Sequence, residues 1–249
     1  MIKSEIRNNT GIIFLARPEK RNALHPELVK RMNNKLSEFE NNDEVRSVII
    51  TGEGSTFCAG ADLEYLNRIK NYSAIDNEKD SKSLAELFLM IYNFPKPTIA
   101  AVNGAAIAGG CGLATVCDLI VAHPEQSLFG YSEVKIGFVP AIVSIFLIKR
   151  VGEGIVNQLL LEAGTINGQK AYQVGLVNYL HNNVLEGTLE VASRLNNNSK
   201  GSLEMTKAII KNISTLSVTE AVDYCVRLNA ISRSSNDFKD GLSKFLKRD

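Results

Sequence analysis

The sequence predicts an α/β fold, because strand-like apolar segments alternate with amphipathic helices up to about Leu180 and helices alone follow. Ile12 to Leu15 and Val48 to Thr51 are rich in β-branched residues, and each runs into turn residues, as buried strands do. Between them Leu28, Met32, Leu36 and Phe39 share one stripe at helical period, and His25-Pro26 is placed to start that helix. The order then repeats. Leu84, Leu87, Phe88 and Ile91 mark a second helix, Pro95 and Pro97 end it, and Thr98 to Val102 reads as a buried strand. Such alternation calls for parallel pairing with helical crossovers. Beyond Leu180 strand signals cease, and Val184 to Asn197, Leu203 to Ile213 and Val218 to Ile231 read as helices separated by Asn, Ser and Gly. Residues 1–180 are therefore expected to form the α/β core and residues 181–249 a helical region.

Bulk properties exclude several classes. A chain of 249 residues with 45% hydrophobic and 22% charged residues can bury a substantial core. Its 28 basic and 27 acidic residues leave a formal charge of +1, so no overall field favours nucleic acid or an anionic membrane. The start is charged throughout and lacks the apolar run of a secretory signal, and glycines, Asn103 and Asp118 interrupt the apolar stretch Ile99 to Val121. A cytoplasmic protein outside the membrane is the expectation. Cys58, Cys111, Cys117 and Cys225 form no CxxC pair, and His25, His123 and His181 offer no metal-ligand spacing, so no metal is expected.

The glycine-rich segments complete neither the GxGxxG dinucleotide pattern nor a phosphate loop, and no GxSxG elbow is present. Phe57-Cys58-Ala59-Gly60-Ala61-Asp62 follows a strand and precedes a helical stretch. Asn103 to Gly112 likewise follows a strand and enters a helical run, Leu113 to Cys117. Small residues let a ligand approach the backbone of both, so each offers amide donors. Two such donors aimed at one oxygen form an oxyanion hole, and losing one donor costs about 3–4 kcal/mol. Taken singly, each segment reads as a strand-to-helix packing turn sooner than as a site; together they shift the balance towards a site.

These residues resemble the crotonase, or enoyl-CoA hydratase/isomerase, family. The likeness runs through Arg17 to Leu24, Phe57 to Asp62, Ala101 to Gly104, Gly109-Gly110-Cys111, Cys117-Asp118, Phe129 to Glu133, Gly137 to Ala141 and Gly175 to Val177, in order and over nearly the whole chain. It implies a spiral of ββα units with a C-terminal helical region serving trimerisation and pocket cover. It also implies a homotrimer or a hexamer of two trimers, and an acyl-CoA substrate with no cofactor beyond the CoA that the substrate carries. By motif position the oxyanion-hole amides fall on Ala61 and Gly109. Lys20, Arg21, Ala23, Ala59, Asp62, Leu63, Gly110, Gly112 and Pro140 fall on the segments that hold CoA and the acyl group. Lys20 and Arg21 either meet phosphate there or stand as two solvated charges.

Hydratases of this family generally use two glutamates to hold and activate water. Here Glu133 falls on the second position, whereas Gly112, directly after Gly109-Gly110-Cys111, falls on the first. Glycine transfers no proton. Glu133 lies beside an apolar run, and burial there raises a carboxyl towards the range useful for acid/base work. One carboxylate over an oxyanion hole suffices to move a proton between C2 and C4, which is isomerase chemistry. Hydration instead needs Glu133 and a water to share the work, or a further group, with Tyr131 and Glu153 as weak candidates. The run Ser132 to Ser144 resembles branched-chain hydratases of the methylglutaconyl-CoA type, and hydration is placed ahead of isomerisation on that ground.

Two rivals follow from Gly112: an acyl-CoA-binding protein with little turnover, and a decarboxylase of malonyl-type thioesters, for which no arginine is evident. Asp118 and Asp62 are read as structural, one at a junction and one at a helix start. Cys58 and Cys111 are read as small packing residues rather than nucleophiles. His123, beside Pro124, is expected on a loop surface.

Overall fold

After an opening hairpin, residues 47–161 repeat one order, a strand to one sheet, a strand to a second, and then helix. The structure, a computed structural model, describes residues 1–246. β1 (Ile2–Arg7) and β2 (Thr10–Leu15) lead into α1 (Pro26–Asn41). β3 (Ser47–Gly52) and β4 (Thr56–Cys58) precede α2 (Leu63–Ile69) and α3 (Ala74–Asn93). β5 (Thr98–Val102) and β6 (Ala105–Ile107) precede α4 (Gly109–Thr115). β7 (Leu119–Ala122) and β8 (Leu128–Gly130) reach α5 (Ala141–Leu161) through a 3-10 turn, Glu133–Ile136. β9 (Thr165–Asn167), α6 (Gly168–Gln173) and β10 (Tyr179–Leu180) close the spiral. α7 (Val184–Asn196), α8 (Lys200–Asn212), α9 (Val218–Ser234) and α10 (Asn236–Leu246) follow.

One sheet runs β1-β2-β3-β5-β7-β10, and the other runs β4-β6-β8-β9. Pairing is parallel from β2 to β10 across the first sheet, as the alternating pattern predicted, with β1 antiparallel at its edge. The strand period divides the first sheet's side chains between two cores. Ile13, Leu15, Val48, Ile50, Ala100 and Val102 face α1, α3 and α4, whereas Ile12, Ile49, Ile99 and Val121 face Val184, Val191 and Ala192 of α7. α7 thus covers the far side of the sheet. Strands buried on both faces read as continuous apolar runs, which is why β3 and β5 were visible in the sequence.

The predicted stripe of α1 is buried throughout, and His25 caps the helix by accepting from the Glu27 N–H at 3.2 Å. Other boundaries differ. α4 begins at Gly109, four residues ahead of the expected Leu113, because Gly110 and Gly112 serve close packing inside a helix that their propensity disfavours. A methyl group added at Gly110 would lie 2.1 Å from the Cys58 carbonyl oxygen. The three-residue strands β4, β6, β8 and β9 are too short to show a period. α10 lies within the helical region expected over residues 181–249, although it was not singled out as a helix of its own, and the last three residues of that region lie outside the described ones. Among the described residues no helix is long and apolar enough to cross a membrane.

Candidate active site

Three turns converge where the second sheet meets α4. The first is the turn Ala59–Asp62, to which the segment before α1 is joined. Arg17 is buried, donates to the Ala23 carbonyl at 2.8 Å and pairs with Asp62 Oδ2 at 2.9 Å. Asp62 caps α2, its Oδ1 accepting from the Glu64 and Tyr65 N–H groups at 3.1 Å each. Burial acts to raise the Asp62 carboxyl, but the Arg17 bond and charge and the two backbone donors outweigh it and hold the pKa low. The structural reading of Asp62 therefore holds. Lys20 pairs with Glu64 across this join, and Arg21 is exposed in the left-handed region at φ 49°.

Leu24 donates to the Gly60 carbonyl at 2.7 Å and accepts from the Asp62 N–H at 3.0 Å, a parallel bridge that leaves Ala61 between the two bonds. The Ala61 N–H faces away from that partner strand and donates to no group among the described residues. Gly109, the first residue of α4, likewise has no intrahelical acceptor for its N–H. The two turns touch. A methyl group at Gly60 would lie 3.4 Å from Gly109 N, 3.0 Å from Ala108 Cβ and 2.8 Å from the Ile107 carbonyl oxygen. Gly60 itself needs φ +87°, which glycine alone adopts without strain. The two glycine-rich segments therefore stand side by side, each with a free amide.

Ala108 makes the second turn. Its φ of 51° and ψ of −124° are a conformation that costs a residue with a Cβ about 1–3 kcal/mol. The turn sends the chain from β6 into α4 and is held by the Ala108 N–H donating to the Gly130 carbonyl at 2.7 Å. Sequence reasoning did not foresee it, since the strain leaves no compositional sign.

Glu133 opens the third turn, three residues beyond Gly130. Its residue is 6% exposed, and Oε2 has no hydrogen-bond partner among the described residues. Burial raises its pKa above the usual carboxylate value, opposed only by its own backbone N–H. Ile136 before Gly137, and Phe138 and Val139 after it, form an exposed apolar rim before Pro140 caps α5.

Gly112 lies one turn into α4 and is buried. A methyl group there would lie 2.3 Å from Val143 Cγ1 and 3.0 Å from Phe88 Cε2, so α5 and α3 occupy the volume a side chain would need. Val143 and Phe88 were not foreseen as neighbours of this site. Of the two proposed substitutes for the missing group, Glu153 is exposed on α5, and the Tyr131 hydroxyl is already bonded to Thr115.

Of the other expected pocket residues, Ala23 is buried with its carbonyl given to Arg17, and Ala59 donates to the Arg21 carbonyl at 3.0 Å. Leu63 is exposed at the start of α2, and Gly110 is packed on Cys58. Cys58 and Cys111 are fully buried, and desolvation pushes both thiols up to about 12, so both stay protonated. Asp118 accepts from Thr98 N and Oγ1 at 2.7 and 2.9 Å and pairs with Lys207 of α8, a structural role as expected. His123 lies on the loop after β7, half-buried, and its Nδ1 holds a turn by accepting from the Glu125 and Gln126 N–H groups at 3.1 Å.

The family model for enoyl-CoA hydratase/isomerase matches residues 5–249. The chain belongs to the enoyl-CoA hydratase/isomerase family. A candidate enoyl-CoA hydratase of Thermus thermophilus is 38% identical over 97% of this chain and 96% of its own length. The 2,3-dehydroadipyl-CoA hydratase of Escherichia coli is 30% identical over 95% of this chain and 92% of its own. Among solved structures, an enoyl-CoA hydratase from Polaromonas sp. JS666 superposes with a TM-score of 0.93 at 32% identity, covering 99% of this chain and 97% of that one. The ββα spiral is thus the crotonase fold. In this chain Gly112, expected at the place of a first glutamate, is packed against Val143 and Phe88.

Proposed function

We propose that the protein adds water across the double bond of an enoyl-CoA, with the thioester oxygen held by the Ala61 and Gly109 amides and Glu133 acting as the acid/base. The observation that carries this is the buried Glu133 carboxylate oxygen without a partner, on a segment tied at Gly130 to the turn that presents Gly109. Negative charge gathers on the thioester oxygen as water attacks C3, and two preset N–H donors stabilise it without reorganising. Glu133 takes a proton from the attacking water and returns one to C2, so a single carboxylate closes the proton balance. The hydratase names of the relatives support hydration. A branched, methylglutaconyl-like acyl group is the finer reading, and the resemblance around Ser132 to Ser144 supports it.

A second reading, double-bond isomerisation between C2 and C4, is favoured by the filled space beside Gly112, where no second group orients water. The same proposal includes an acyl-CoA substrate with no separate cofactor, a cytoplasmic location, and a homotrimer or hexamer. Val218, Val222, Val226 and Ile231 expose apolar surface on α9, which supports assembly. The purified chain is to be assayed with crotonyl-CoA, 3-methylglutaconyl-CoA and a 3-enoyl-CoA, beside Glu133→Gln. Hydration lowered about 10²-fold or more in the variant supports the proposal; exclusive double-bond migration replaces it with the second reading, and binding without turnover removes both.

A further inference from the structure

The Glu133 carboxylate has no bond that fixes Oε2, so its place depends on the backbone that carries it. That backbone is tied to α4 at two points. The first is the Ala108 N–H to Gly130 carbonyl bond, 2.7 Å. The second is Tyr131, whose residue is 1% exposed and whose Oη lies 2.9 Å from Thr115 Oγ1. Thr115 Oγ1 donates its only proton to the Cys111 carbonyl at 2.8 Å, so it accepts from Tyr131. The bond therefore has one direction, from the phenol to the helix.

α4 carries the Gly109 amide at its start and, through Thr115, grips the residue two places before Glu133. One helix thus fixes both halves of the site. A buried apolar side chain of similar shape would fill the Tyr131 cavity as well, and the hydroxyl adds direction rather than volume. We propose that Tyr131, held by Thr115, is a positioning residue that sets the Glu133 carboxylate against the Gly109 amide. This rests on the acid/base reading of Glu133.

The test compares wild type, Tyr131→Phe, Thr115→Val, their double variant and Thr115→Ser, with Glu133→Gln alongside. Each is measured for kcat, KM, the pH profile of kcat and the urea midpoint. A carboxylate displaced by a fraction of an ångström lowers kcat by roughly ten- to a hundredfold, with KM changed less than about twofold. The two single variants should lose alike, the double should lose no more than either, and Thr115→Ser should recover most of wild-type kcat. The inflection of the pH profile should move in the single variants. Tyr131→Phe with wild-type kcat and pH profile overturns the proposal, as does a loss that simply tracks the urea midpoint. Where Tyr131→Phe does not fold, Thr115→Val decides, because it keeps the phenol and removes its acceptor. An inert wild type, or a Glu133→Gln variant as active as wild type, instead overturns the acid/base reading on which this rests.

Discussion

Arg17 and Asp62 meet 2.9 Å apart in a buried pair that joins the segment before α1 to the start of α2. The pair flanks Ala61 on one side and Ala23 on the other, since the same guanidinium holds the Ala23 carbonyl. Its charges are compensated on both sides: Asp62 also accepts two backbone N–H groups. Such a pair is costly to break because removing one partner strands the other.

Arg17→Met should therefore destabilise the fold by about 3–5 kcal/mol, seen as a lower urea midpoint. Asp62 adds a pH signature. Its folded pKa is lowered, so its contribution is present above the unfolded carboxylate value, 3.8, and is lost as pH falls through the lower folded value. Wild type should lose stability across that acid window, and Asp62→Asn should show a flatter acid limb. An acid limb of equal slope in both would mean that the pair does not set it.

Glu133 should behave oppositely. Its folded pKa is raised by burial, so the protonated form favours folding, and that stability is present below the unfolded value of 4.5 and is lost as pH rises through the folded one. Glu133→Gln is then more stable than wild type near neutrality, and the two converge below about pH 4.5. Urea midpoints at pH 4 and pH 7 measure this. In the same window wild-type kcat/KM should rise with pH as the carboxylate forms, with a midpoint above 4.5. A glutamine variant less stable than wild type at pH 7 would show that the charge is compensated in the fold.

What was legible in the sequence was what repeats or acts locally. The α1 stripe of Leu28, Met32, Leu36 and Phe39 recurs at helical period, and β5 carries the apolar run Ile99 to Val102 between Pro97 and Asn103. Asp62 caps residues two and three places on, so its role follows from near neighbours. The two glycine-rich segments were nominated because small residues after strands leave amides open, and the family likeness then pointed to Ala61 and Gly109 within them. The contacts that assemble the site are of another kind. Arg17 meets Asp62 across 45 residues and Tyr131 meets Thr115 across 16, and neither separation leaves a periodic trace. The strain at Ala108 is invisible for a related reason: alanine there obeys the tertiary join to Gly130 against its own backbone preference. Only the fold supplies these partners.

The last prediction concerns Gly112, where helix propensity and packing oppose each other. Alanine in the middle of α4 gains about 1 kcal/mol over glycine from backbone entropy. Against this, its Cβ would lie 2.3 Å from Val143 Cγ1, and valine within a helix has one strongly preferred rotamer, so the methyl group does not swing aside. Overpacking of this kind costs about 1–3 kcal/mol, so Gly112→Ala should destabilise on balance and Gly112→Glu should do so more severely. Val143→Ala removes the obstructing methyl, and combining it with Gly112→Glu should return part of the lost stability, a favourable coupling of about 1 kcal/mol or more in a double-mutant cycle. The combined variant also brings a carboxylate to the position where the family likeness leads one to expect a first glutamate. Its ratio of hydration to double-bond migration should rise over wild type under identical assay. Additive stability changes in the cycle would show that Val143 is not what keeps position 112 a glycine.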